Sequence, residues 1–352
     1  MIIAIVSSYA LSGRGGMESS TGIAIRELEK RGDTVHIIMR SGKIDTTWST
    51  EFNCHYINDA GKQLQPFVFP YKLTMLLNRL KPDLVLGLDK RAVSYSRFYR
   101  YLHPNKVRIG SWMRFALLTL GKNPGKHLKY ADFHLAISSD IANDLNRIFE
   151  ENSKPIYLVF NPVQLAEKTI IRPIVPTFLY VGRLVIKQKQ VHHLLQALAG
   201  LKGTWKAIII GDGIDASKLK QLARDLGIYE RIEWRGWLVN PWDEVTESSA
   251  LILTSAYEGF GNVLVEALNR GLPCISSKSP AGPSDIIING ENGWLYPLDD
   301  LKILTELMQR IVDNPLSSLP DPQFVKKTGE RFAAEKIVSG LRKALVAQVG
   351  NL

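Results

Sequence analysis

Thr177-Phe178-Leu179-Tyr180-Val181-Gly182-Arg183-Leu184 decides the fold. An apolar run that stops abruptly at glycine reads as a strand buried on both faces. It restarts a rhythm already heard once. Ile2–Val6, Thr34–Met39, Leu84–Leu88, Val107–Gly110, His134–Ile137 and Ile156–Val159 come first, with helical patterns at Ser19–Arg31, Phe69–Leu80 and Ser139–Phe149. After residue 177 it continues through Lys206–Ile210, Arg231–Trp234, Ala250–Thr254 and Cys274–Ser276. Between the two series, Asn161-Pro162, Pro173 and Pro176 punctuate an aperiodic stretch that reads as a linker. The expectation is an α/β chain of two doubly wound, parallel-sheet domains facing each other across a cleft. The last helix, about Ala333–Val346, has Ile337, Leu341 and Leu345 on one face and must dock somewhere.

Composition agrees with a packed protein. Of 352 residues, 45% are hydrophobic and 22% charged, which excludes a disordered chain. Cys54 and Cys274 are too few and too far apart for a disulfide framework or a zinc ligand set, and read as reduced thiols. The opening MIIAIVSSYAL has no basic residue before its apolar run, so a buried first strand explains it better than a secretory signal. No apolar run approaches the ~20 residues of a bilayer span, so a soluble or peripheral protein is expected.

The net charge is +10, and it is unevenly placed: residues 1–165 hold 22 basic and 14 acidic residues. Residues 90–129 contain ten basic side chains and no acid, with aromatics interleaved. Arg97, Arg100, Arg108, Trp112 and Arg114 are the candidates there for contact with an anionic acceptor or membrane surface. A merely solvated basic face is the alternative.

The segment richest in chemistry is Ala256-Tyr257-Glu258-Gly259-Phe260-Gly261-Asn262-Val263-Leu264-Val265-Glu266-Ala267, after the strand Ala250–Thr254. Its glycines permit a sharp turn at a strand's carboxyl end, where open parallel sheets bind ligands. A helix starting near Asn262 favours an anion at its leading amides. Glu258 and Glu266 flank that point, an order that matches sugar hydroxyls, diphosphate and ribose in a nucleotide-sugar. Alternatively, one is a surface loop residue and the other an ordinary helix glutamate. Gly182-Arg183, followed by Lys187 and Lys189, tips the balance, because an arginine at a strand end with a lysine a few residues on can neutralise a diphosphate from two directions. The first loop, Ser12-Gly13-Arg14-Gly15-Gly16-Met17-Glu18, lets backbone approach a phosphate or sugar, or else is a helix-packing turn. No D-x-D, C-x-x-C or H-E-x-x-H is present, so no metal is expected, and Arg183, Lys189 and amides would carry the leaving-group charge.

Together these elements resemble the family 4 retaining glycosyltransferases of the GT-B fold. Glu258 to Glu266 matches that family's E-x7-E element, Gly182-Arg183-Leu184 with Lys189 its phosphate element, and Gly15-Gly16-Met17-Glu18 its first loop. Tyr130–Ser139, Asn161-Pro162-Val163, Gly236-Trp237, Pro241-Trp242 and Leu272–Ser277 narrow the likeness toward members that build the bacterial lipopolysaccharide core. The resemblance implies an acceptor-binding Rossmann-like domain over 1–165, a nucleotide-sugar-binding one over 173–333, and a terminal helix, 334–352, packed back on the first. It implies that Arg183, Lys189 and Glu258 are catalytic. Gly15, Gly16, Gly182, Trp237, Phe260, Gly261, Asn262, Val263, Leu264 and Glu266 would bind the donor, the Val263 and Leu264 amides meeting phosphate and Glu266 the ribose. The implied activity transfers galactose from UDP-galactose to a glucose of the core, without cofactor, metal or nucleic-acid partner, at the cytoplasmic face of the inner membrane.

The sequence departs from that family at three points. Arg114 stands where a histidine often faces the donor sugar, Gln190 where a glycine usually follows the phosphate lysine, and Asp285 where a glutamate is common. His134, inside a strand pattern, reads as a core histidine. Three rival functions remain at this point: a capsule or O-antigen transferase of the same family, a non-catalytic anion binder on a degenerate scaffold, and a dinucleotide oxidoreductase. The last lacks a G-x-G-x-x-G with its acidic ribose ligand.

Overall fold

A computed structural model describes residues 1–11, 15–40, 50–57, 65–104, 106–114, 117, 123–149 and 154–350. The chain divides into two compact units, Met1–Pro162 with Ala334–Leu352, and Val163–Ala333. Each is built around one sheet in which every strand pair is parallel.

The first unit holds β1 (Ile2–Ser7), β2 (Thr34–Arg40), β3 (Asn53–Ile57), β4 (Leu84–Gly87), β5 (Arg108–Met113), β6 (Phe133–Ala136) and β7 (Ile156–Leu158), in the order β3-β2-β1-β4-β5-β6-β7. The second holds β8 (Thr177–Val181), β9 (Lys206–Ile210), β10 (Ile232–Gly236), β11 (Ala250–Leu253), β12 (Cys274–Ser277) and β13 (Gly293–Tyr296), in the order β10-β9-β8-β11-β12-β13. Both sheets reverse their winding beside their first strand. The loops after β1 and β4, and after β8 and β11, are therefore neighbours at the carboxyl edge of their sheets, where doubly wound folds bind ligands.

The central strands are apolar because helices cover both faces. Ile3, Ile5, Leu84, Leu86, Leu179 and Ile252 are fully buried. His134 lies among them on β6, its Nδ1 2.6 Å from the Ser111 hydroxyl and its ring stacked on Phe149. Burial, with Lys154 nearby, pushes its pKa down to about 3, so it stays neutral. Cys274 is buried and Cys54 half-buried; burial pushes both thiols up, Cys54 to about 11.

The structure refines two readings of the sequence. The proline-punctuated stretch read as a linker is held within the second unit. Ile170 N–H donates to Arg270 O (2.9 Å), Ile171 N–H to Thr246 O (3.0 Å), and Arg172 reaches Pro320 O, all inside the second unit. Backbone leaving water must find partners, and here they lie along that unit's flank. The last helix, Ala334–Val349, belongs to the first unit, but it buries Val338, Leu341 and Leu345 while Ile337 is half-exposed. It packs on the helix Gly16–Lys30. Arg342 Nε is 2.6 Å from Asp33, whose carboxylate also takes the amino terminus (2.9 Å).

Candidate functional site

The second unit's reversal point brings together the loops that follow β8 and β11. The β8 loop is fixed by Gly182 N–H donating to Ile210 O (2.9 Å), Leu184 N–H to Asp212 O (2.9 Å) and the Tyr180 hydroxyl to Arg183 O (3.0 Å). It ends in one helical turn, Ile186–Lys189, whose first amide donates to Asp215 (2.9 Å). The β11 loop is stitched to it: Thr254 Oγ1 donates to Lys189 O (2.8 Å) and Ala256 N–H to Gln188 O (2.8 Å).

This stitching pairs two residues that lie 69 positions apart. Lys189 Nζ is 2.6 Å from Glu258 Oε1, which also accepts from the Ser255 hydroxyl at 2.6 Å. Both charged side chains are largely buried, at 13% and 8% exposure. Ser255 is held in turn through its carbonyl, which accepts from Ser277 Oγ (2.6 Å). Arg183 is exposed on the same loop and donates to Gln188 Oε1 (3.0 Å). Gln190, where the resemblance implied glycine, occupies the left-handed region (φ 45°), a conformation an L side chain adopts only at a cost. Its amide group donates to Asp299 (3.0 Å).

Beyond Glu258 the chain turns through Gly261 (φ 92°) into the helix Asn262–Leu268. The Phe260 ring is buried edge-on against Phe332 at 5.5 Å, so only its backbone can serve a ligand. The Leu264 amide closes the first turn on Gly261 O (2.9 Å), and its side chain is fully buried. Gly182 lies directly before Arg183. Trp237, just past β10, is half-exposed.

Glu266, on the same helix, is half-buried and accepts from the Trp242 indole N–H (2.8 Å). Arg270, one turn on, stacks over the Trp242 ring at 4.7 Å. Burial raises the Glu266 carboxyl above its ordinary pKa, while the Trp242 hydrogen bond and Arg270 pull it back down. Trp242 and Ser255 escape a reading of the sequence: neither belongs to a glycine-rich or charged motif, and Pro241-Trp242 is the sole trace of the former.

In the first unit, Gly15 caps the helix Gly16–Lys30, and a Cβ there would lie 2.5 Å from the buried Glu18 carboxylate. Ser12, Gly13, Arg14, Phe115 and Lys122 lie outside the described residues. Two expected surface residues are interior. Trp112 is fully buried, because β5 is a central strand of its sheet. Arg114 is 3% exposed, lies 3.8 Å over the Trp112 ring, and donates to Asn161 Oδ1 (2.5 Å) and Thr21 Oγ1 (2.8 Å). Neither can meet an acceptor or a membrane through its side chain; Arg114 braces β5 against the helix Gly16–Lys30. Arg97, Arg100 and Arg108 are half-buried: Arg97 stacks on Tyr130 (4.6 Å) and Arg100 pairs with Asp132 (2.6 Å). Contiguity in sequence did not make a contiguous patch.

Among the described residues no group of three or more histidines, cysteines or acids is arranged to hold a metal ion, and no helix is long and apolar enough to cross a membrane.

Comparison with known proteins then yields consistent matches. The family described as glycosyl transferases group 1 matches residues 165–331. The lipopolysaccharide 1,6-galactosyltransferase of Escherichia coli (strain K12) is 32% identical over 97% of both chains. Its namesake in Salmonella typhimurium is 34% identical over 92% of both. Among solved structures, the apo lipopolysaccharide outer core galactosyltransferase WaaB superposes with a TM-score of 0.87 at 31% identity, covering 99% of this chain and 100% of that one. Anabaena HepE, solved with UDP and glucose, superposes at 0.83 with 16% identity over 99% and 100%, a likeness of fold.

Proposed function

The chain belongs to the glycosyl transferases group 1 family, and from that premise we propose that it moves galactose from UDP-galactose onto a glucose of the lipopolysaccharide core, retaining the anomeric configuration. The observation that carries this reading is the Lys189–Glu258 pair at the second unit's reversal point, with Arg183 on the same loop and Glu266 beyond it. A diphosphate at that edge finds two cations. The sugar finds a buried carboxylate able to accept hydroxyl hydrogen bonds, and the ribose finds a second. The 1,6-galactosyltransferase names of relatives similar along nearly their whole length support the acceptor.

In this mechanism the bond between the anomeric carbon and the β-phosphate oxygen breaks as charge gathers on UDP. Arg183 and Lys189 stabilise that charge. The acceptor oxygen bonds to the same face of the anomeric carbon, and its proton passes to the departing phosphate. No divalent ion is required. In a donor screen with EDTA present and lipopolysaccharide core as acceptor, UDP-galactose is expected to release nucleotide fastest, ahead of UDP-glucose and the N-acetyl forms. Activity abolished by EDTA and restored by magnesium, or preference for another sugar, would overturn the corresponding part.

The acceptor is anchored in a membrane, and we assign contact with its anionic cytoplasmic surface to the first unit. Phe67, Tyr71 and Met75 form an exposed stripe on the helix Gln65–Leu80, and Phe98, Tyr101 and Leu102 are exposed on the helix Lys90–Leu102 packed beside it. Lys72, Arg79 and Arg91 are exposed on the same two helices. Aromatic rings with interspersed cations suit a headgroup layer. Replacing Tyr71 and Tyr101 by serine is expected to weaken binding to anionic vesicles at every salt concentration. Neutralising Arg97, Arg100 and Arg108 is expected to weaken it mainly at low salt. Vesicle flotation that is unchanged in both sets would remove this surface from the proposal.

A further inference from the structure

The indole N–H of Trp242 donates to Glu266 Oε2 at 2.8 Å, while Arg270 donates to the Glu266 carbonyl (2.8 Å) and stacks on the indole. Trp242, in the Pro241–Asp243 turn, thus holds the carboxylate, and Arg270, just past the helix Asn262–Leu268, holds the backbone carbonyl of the same residue. Among the described residues no donor bonds Oε1. We propose that Trp242 is a positioning residue for donor binding, orienting the Glu266 carboxylate so that its remaining lone pairs accept the ribose hydroxyls of the nucleotide. This rests on the reading of Glu266 as the ribose ligand given above.

The physical case is one of pre-organisation. A carboxylate on a free rotamer must be ordered when ribose arrives, and that ordering subtracts from affinity. An indole donates and cannot accept, so it favours the ionised form of Glu266, whose other lone pairs stay open to the ribose hydroxyls. Burial works the other way by favouring the protonated acid, which has lost acceptor capacity. The indole and Arg270 therefore set both direction and charge. The helix Asn262–Leu268 also carries the turn that follows Glu258, so fixing Glu266 fixes the far end of the donor relative to the reacting sugar.

The test compares UDP with its 2′,3′-dideoxyribose analogue by calorimetry. Trp242→Phe keeps an aromatic ring near Arg270 and removes the donor. It is expected to weaken UDP about tenfold, the worth of one hydrogen bond to a charged group, and to leave the analogue within about twofold. Its loss of UDP affinity is expected to steepen as pH falls, since the carboxyl is then easier to protonate. A folded Trp242→Phe protein that keeps the wild-type ratio of the two affinities overturns the proposal, whether both are unchanged or both fall together. If phenylalanine does not fold, Trp242→Leu is read by the same ratio. Glu266→Ala is the separate check: if it too keeps the wild-type ratio, the ribose assignment fails, and that failure is distinguishable from one confined to Trp242.

Discussion

Replacing Lys189 by alanine is expected to lower kcat by about 10²–10³, the usual loss when one preorganised group facing developing charge is removed. The donor's KM should change less, because Arg183 still meets the ground-state diphosphate. The substitution also has a structural consequence. It strands Glu258, 8% exposed, with Ser255 as its remaining hydrogen-bond donor. Removing one partner of a buried pair costs about 3–5 kcal/mol in fully enclosed cases. The protein is therefore expected to melt earlier. Loss of activity could then be mistaken for loss of fold. The double variant Lys189→Met, Glu258→Gln separates the two. With both charges gone, stability should return toward wild type, while transfer stays at least as slow as in the single variant. Recovery of turnover along with stability would mean that Lys189 serves the fold alone. Wild-type turnover in Lys189→Ala would remove the lysine from the reaction.

Most of the framework is legible in the sequence because its strands are enclosed. Leu84–Gly87 and Ala250–Leu253 are buried at every position and read as unbroken apolar runs. The two strands that escape such a reading, Asn53–Ile57 and Gly293–Tyr296, are both sheet edges. An edge strand faces solvent along one side, and its mixture of polar and aromatic residues carries no period to detect. The site divides in the same way. Arg183, Lys189, Glu258 and Glu266 stand in short motifs whose spacing is local, and they can be found by reading along the chain. Their partners cannot. Ser255 is a serine among many, and Trp242 meets Glu266 only because β10 and β11 are brought into one sheet. Trp112 and Arg114 were misplaced for a related reason: a charge count along residues 90–129 ignores that β5 passes through the middle of the sheet there.

Gly282→Ala is expected to do severe damage for one added carbon. The residue sits at φ 106°, outside the region open to L side chains, and a Cβ would fall 1.9 Å from Phe260 O. One of the two backbones has to move. Phe260 is wedged against Phe332, and Pro280 O accepts the Glu258 amide (3.2 Å), so either movement disturbs the segment from Glu258 to Asn262. Backbone strain alone costs roughly 1–2 kcal/mol for an alanine forced to positive φ. The collision adds to it, and a total above about 3 kcal/mol is expected. Gly290 supplies the matched control. It too has a positive φ, 81°, but nothing lies within 4 Å of its Cβ position. Gly290→Ala should therefore show the strain without the collision, melting a few degrees early with nearly normal transfer. Gly282→Ala should lose transfer about a hundredfold even at temperatures where it remains folded, because Glu258 no longer meets Lys189 and the turn before Asn262 is displaced. Equal effects of the two substitutions on activity would mean that the Phe260–Gly282 contact does not position the donor.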